Sequence, residues 1–153
     1  MSGVHLISDV RNRLISVIED ANATVTIGGS QVPVTVLKQL SAGHVIAESK
    51  LPAVHVMLTQ DDVSERTNST EDRRFTFNVA LFARDVGDPQ DQLDELQLCV
   101  EKAVAMSSNL DGGAKAVWFL GAQIGQSKGE YVTGQRVMRF AADLTITAGD
   151  PSV

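Results

Sequence analysis

Arg73-Arg74-Phe75-Thr76-Phe77-Asn78-Val79-Ala80-Leu81-Phe82-Ala83-Arg84-Asp85-Val86-Gly87-Asp88-Pro89, with the run that follows it to Met106, decides the fold. From Phe75 to Ala83 the odd positions are apolar, and the even ones include Thr76 and Asn78, the period of a half-buried strand. Phe82 breaks the alternation. The chain turns at Asp85-Val86-Gly87 and restarts at Asp88-Pro89, where Asp88 suits an N-cap and Pro89 the first helical position, which needs no N–H donor. Leu93, Leu96, Val100, Ala103 and Val104 follow at helical spacing. Asp91, Asp94 and Glu95 in the early turns and Lys102 late agree with the helix dipole. The spacing predicts a strand followed by a helix that packs on the sheet.

Upstream, Ile7, Val10, Leu14, Val17, Ile18 and Ala21 recur at intervals of three and four, predicting an amphipathic helix that ends near Asn22. Val25 to Ile27 and Val32 to Val36 flank Gly28-Gly29-Ser30-Gln31, which predicts a hairpin. A phosphate cradle would need a Gly-Lys-Ser/Thr and an opening helix, and neither follows. Leu37 to Lys50 reads as an irregular connection. After Leu51-Pro52, Val54, Val56 and Leu58 alternate with Ala53, His55 and Met57 in a further strand.

Gln60 to Asp72 is almost wholly polar, with Val63 its one large apolar residue. It reads as a loop long for a compact domain, and such loops are usually functional or disordered. Beyond the second helix, Asp111-Gly112-Gly113 stops the chain and Trp118, Leu120, Ala122 and Ile124 predict a strand. Gln126-Ser127-Lys128-Gly129 turns it into a last strand with Met138, Phe140, Ala142, Leu144 and Ile146 on one face. Residues 148–153 read as a frayed polar tail. The expected fold is α+β: a mainly antiparallel, mixed sheet with two helices on one face and a β-hairpin, in a single domain over residues 1–153.

At 153 residues and 43% hydrophobic the chain has the makeup of an ordinary globular domain. A net charge of −6 without a basic stripe argues against general affinity for DNA or anionic membrane. No stretch approaches the roughly 18 apolar residues of a membrane span, and no export signal is legible. Cys99 is the only cysteine and falls in the helix pattern, so it is expected to be a buried structural thiol in a reducing, intracellular setting.

Catalytic and metal chemistry find no support in spacing. His5, His44 and His55 are far apart, and His55 alternates within a strand as a structural or interface side chain. Asp61-Asp62 and Glu71-Asp72 lack the residue order of a calcium loop. Nucleophile elbow, P-loop and dinucleotide fingerprints are missing. The expectation is no enzyme, no catalytic residue, no cofactor and no metal. The alternative is a small-molecule-binding or enzymatic α+β domain with a deep pocket and converging polar groups.

The order of elements, with Leu51-Pro52-Ala53-Val54, Asp72-Arg73-Arg74-Phe75-Thr76-Phe77, Asp88-Pro89, Leu93-Asp94 and Arg139-Phe140-Ala141-Ala142-Asp143-Leu144, resembles the tail terminator family of long-tailed bacteriophages, also described as minor tail or tail completion proteins. The resemblance covers most of the chain and rests on order and spacing. It implies a structural virion protein at the tail and neck, assembled in the host cytoplasm. Such a protein is a homo-hexameric ring that caps the tail tube, stops addition of tube protein and presents a surface to head completion or neck proteins. DNA passes through the lumen without specific binding, which an acidic wall favours by repulsion. No membrane is involved. On this reading Asp61, Asp62, Glu65, Arg66, Glu71, Asp72, Arg73 and Arg74 form the partner or oligomer interface. The loop reaches a neighbouring subunit or the tube end and orders on assembly.

Overall fold

The computed structural model describes residues 5–38, 46–86, 88–107, 109–110, 112–123 and 135–152. Two helices, α1 (Leu6–Asp20) and α2 (Pro89–Met106), lie with seven strands: β1 (Thr24–Ile27), β2 (Ser30–Pro33), β3 (Thr35–Leu37), β4 (Ala53–Arg66), β5 (Thr70–Phe82), β6 (Ala116–Gln123) and β7 (Gln135–Thr147). The fold is α+β. The main sheet has the order β3-β4-β5-β7-β6, antiparallel except for β3, which runs parallel to β4. β1 and β2 form a separate hairpin.

The alternation in β5 carries through: Phe75, Phe77, Val79 and Leu81 are fully buried. Ladder pairing sets Phe77 between Leu58 of β4 and Phe140 of β7, and Val79 between Val56 and Met138. Both helices cover this face with Val10, Leu14 and Ile18 of α1 and Leu93, Leu96 and Val100 of α2. Each such fully buried side chain contributes about 1.5–3 kcal/mol relative to exposure. Phe82 sits on the opposite face, beside Ala53, and is half-buried.

Helix boundaries follow their signals. Asp88 caps α2 by accepting the Gln90 N–H at 2.9 Å, with Pro89 leading the first turn. His5 caps α1 through Nδ1, which accepts the Ile7 N–H at 3.0 Å. Gln92, buried inside α2, ties down the β5–α2 turn: its Oε1 accepts the Arg84 N–H and its Nε2 donates to the Arg84 and Val86 carbonyls. Gly28 and Gly29 both adopt positive φ in a two-residue turn, which only glycine takes cheaply at both positions. The second expected run divides at Val34, ending in β2 on one side and beginning β3 on the other.

Four expectations are corrected. Gln60 to Asp72 is not a loop: β4 and β5 continue through it, pairing Asp61 with Phe75, Asp62 with Arg74, Val63 with Arg73, Glu65 with Asp72 and Arg66 with Glu71. On β4 and β5 both faces of this stretch are polar, so the period of two vanishes from the sequence, and the apolar side chains on its helix side come from β7, as Leu144 and Ile146. In β6 a bulge between Phe119 and Gly121 shifts the register, so Val117 and Phe119 lie on the helix side and Trp118 on the other. The tail is held rather than frayed: Leu6 N–H donates to the Pro151 carbonyl at 2.7 Å, Ala148 N–H to that of Ser69 at 3.1 Å, and Ser152 bridges to His5. Cys99 is half-buried, on the flank of α2 rather than in its core stripe. Of the connection expected from Leu37 to Lys50, Leu37 ends β3 and Glu48–Lys50 form a short 3-10 turn, while residues 39–45, the end of β6 at Ile124 and the turn at Gln126 to Gly129 lie outside the described residues.

Candidate functional site

The arm is built from ladder continuity and closed by turn chemistry. At its tip Thr67 Oγ1 accepts the Thr70 N–H at 2.9 Å, and Thr67 N–H donates to the Thr70 carbonyl at 2.8 Å. The hydroxyl thus stands in for a backbone acceptor in a tight reversal. β7 runs beside β5 as far as Thr70↔Thr147, so the arm is three strands wide.

Alternation sorts the eight expected interface residues onto two faces. On the helix side lie Asp61, Arg66, Glu71 and Arg73, with Val63 among them. Arg73 is the hub: its Nε donates to Glu71 at 2.6 Å and its Nη1 to Asp61 at 2.7 Å. Arg66 approaches the other Glu71 oxygen at 3.7 Å. Glu71 is only 4% exposed. The hydrogen bond from Arg73 holds its carboxyl below the ordinary carboxylate range, against the opposing effect of burial, with the Arg73 and Arg66 charges adding to the lowering. The same bond raises Arg73, aided by Asp61.

On the other face lie Asp62, Glu65, Asp72 and Arg74. Arg74 forms a two-pronged pair with Asp143 of β7, Nε to Oδ1 at 2.8 Å and Nη2 to Oδ2 at 3.0 Å, which raises its pKa. Its guanidinium also lies 5.0 Å from the Trp118 ring centre. Asp72 accepts from Thr145 and stands 3.8 Å from Lys115. Asp62 and Glu65 extend into solvent on this face. All eight residues therefore share one arm, six of them in two ion-paired sets on opposite faces, with Asp62 and Glu65 in solvent beside the second.

Asp143, Thr145, Lys115 and Trp118 complete these sets and were not among the expected interface residues. Asp143 was legible in principle: the period of two in β7 puts it off the face of Met138 and Phe140, across from Arg74. A third charged device also escaped the sequence reading. Arg136 is 4% exposed on the helix side of β7 and donates to Asp94 at 2.7 Å, to Gln97 at 2.9 Å and to Gln90 at 3.1 Å, pinning the early turns of α2 to the sheet.

Of three grooves, one of about 310 Å³ between the start of α1 and the end of β7 gathers polar groups, Asp9, Arg13, Thr145, Asp150 and Ser152, and the other two are poorer in them. One of about 400 Å³ runs beside α1 and the β1–β2 hairpin, lined by Ile18, Asn22, Pro33 and Val36. Another of about 400 Å³ lies between α2 and β6, lined by Val104, Ala105, Val117, Phe119 and Phe140, with Glu101 and Lys102 at its rim. Among the described residues the groups with shifted pKa are Glu71, Arg73 and Arg74 in the arm and Asp150, lowered by its hydrogen bonds from Ser152. Neither of the two larger grooves contains one. Among the described residues no group of three His, Cys, Asp or Glu is placed to hold a metal ion, and no helix is long and apolar enough to cross a membrane. No protein-family model matches the chain, and a search of curated proteins finds no significant match.

Proposed function

We propose that this chain is a structural subunit of the tail terminator type, a protein that assembles six to a ring, caps a finished tail tube and offers its other surface to head completion proteins. The observation that supports the reading is the element order: helix, hairpin, long antiparallel pair, Asp-Pro helix and two closing strands around one sheet. The same order carries the family resemblance. A ring also needs two different patches on each subunit, one meeting the other on the next copy. A rigid charged arm at one end of the sheet and an apolar groove beside its far edge are two such patches.

On this reading the arm works as a preformed projection. Its strands are paired before any partner arrives, so docking carries less ordering cost than a loop that folds on contact. The net charge of −6 keeps a lumen from holding DNA as it passes. The test is a tube-growth assay, in which polymerising tail-tube protein is mixed with the purified chain and tube lengths are measured by electron microscopy. Growth stops at a fixed length distribution in its presence if the reading is right. Tubes that lengthen at the same rate with and without the chain refute it.

A further inference from the structure

We infer that the outer edge of β6, with the apolar groove between β6 and α2, receives the β4 edge of the arm from a second copy of this chain, joining the two sheets strand to strand. β6 is an edge strand that pairs only with β7 among the described residues. Proteins usually blunt such edges with charge or proline. β6 reads Ala-Val-Trp-Phe-Leu-Gly-Ala-Gln, without a charge, and leaves Phe119 36% and Leu120 47% exposed. The groove of about 400 Å³ alongside it supplies the pocket that strand addition uses to read alternate side chains.

The occupant follows from the opposite side of the same sheet. β3 covers β4 only from Ala53 to His55, so from Val56 to Arg66 the outer edge of β4 has no strand partner among the described residues. β4 is antiparallel to β5, β5 to β7 and β7 to β6, so β6 runs opposite to β4. Carrying one copy onto the next without turning the sheet over therefore sets β6 and the incoming β4 antiparallel, the stronger pairing. That operation also keeps the helix side on the helix side. Val63, 52% exposed and the one large apolar residue between Gln60 and Asp72, lies on the helix side of its own strand and meets the groove on the helix side of β6.

Charge permits the contact: Asp61 is held by Arg73 of its own chain, exposed Asp62 and Glu65 meet an edge preceded by exposed Lys115, and Glu101 and Lys102 of the groove offset each other. Antiparallel joining of a β4 edge to a β6 edge is head-to-tail and leaves both edges free at the ends of a row until it closes. The choice of a second copy as occupant rests on the ring reading above.

The experiment places a photo-crosslinking residue by Val63→p-benzoylphenylalanine in the full chain, mixes unlabelled and nitrogen-15-labelled copies, irradiates, and maps the joined peptides. The expected products are mixed-isotope links from residue 63 into residues 98–123. In parallel, Leu120→Lys, a solvent-facing change, weakens self-association about tenfold or more while the thermal unfolding curve of the monomer stays in place. Links confined to one chain, links to another region of the second copy, or no mixed link at concentrations up to about 1 mM, above which pairing is too weak to hold a ring, overturn the inference. A six-membered ring at tube ends with residue 63 linked elsewhere would sink this interface and spare the proposed function. Links in the expected place, without any effect on tube growth, would do the reverse.

Discussion

β4, β5 and β7 each run through two environments, and the contrast between them explains the molecule. At the helix-backed base, Val54, Val56, Phe77, Val79, Met138 and Phe140 face α1 and α2, and packing alone sets the register. In the arm the same three strands continue, and on β4 and β5 Arg73 with Glu71 and Asp61 on one side, and Arg74 with Asp143 on the other, replace the apolar contacts that β7 keeps in Leu144 and Ile146. A one-residue slip at the base would turn every buried side chain to solvent, so the base dictates the arm's pairing. Stability therefore resides mainly in the base, and the arm carries charge that core packing does not require.

The contrast is broken most severely at the base. Phe77→Ala, at a position with no exposure, should lower unfolding free energy by about 3–5 kcal/mol in chemical denaturation, since the site is walled by strands and cannot collapse. Arg136→Met keeps the aliphatic stem but removes the hydrogen bonds to Asp94, Gln97 and Gln90, at a cost of about 1–2 kcal/mol by the same measurement, since exposed Asp94 returns to water. Both effects belong to the base, because both loosen a helix from the sheet.

Trimming the arm should act the other way. Asp62 pairs with Arg74, so replacing residues 63–73 by an Asn-Gly turn closes the hairpin in register. Removing only Val63 to Ser69 would leave the two strand ends out of step. The trimmed chain should remain folded by circular dichroism, losing no more than about 2 kcal/mol, and fail to stop tube growth. Wild-type termination by the trimmed chain would show the arm to be dispensable.

The finest test separates the ionic arm from the apolar base by pH. Glu71 is depressed in the folded state, so its stabilisation is complete above the ordinary carboxylate value of 4.5 and is lost as pH falls through the depressed value. Glu71→Gln should therefore lower the denaturation midpoint at neutral pH, and its difference from wild type should shrink below pH 4.5. Phe77→Ala should show no such convergence from this source. Parallel curves for Glu71→Gln and wild type at every pH would remove Arg73–Glu71 from the account.

The base was legible because burial on one face writes a period of two into Phe75-Phe77-Val79-Leu81, and the α2 start because Asp88-Pro89 carries its own capping chemistry. The arm was not legible, since a strand polar on both faces has no hydrophobic period to show. Thr67-Asn68-Ser69-Thr70, a reversal rich in turn formers between β-branched residues, was the available signal for a hairpin tip. The eight charged residues were found as a group, but their division into two sets needed the register. Trp118 misled because a bulge inverts alternation within β6. Gln92 and Arg136 were invisible as buried polar residues, because their partners lie on elements that only tertiary structure brings near.

Averaged electron micrographs of tail-tube ends incubated with the purified chain are the decisive measurement for the proposed ring. A ring of six copies seated on one end of each tube is the expected result. Tube ends that carry no added density, or that carry isolated single copies, would contradict it.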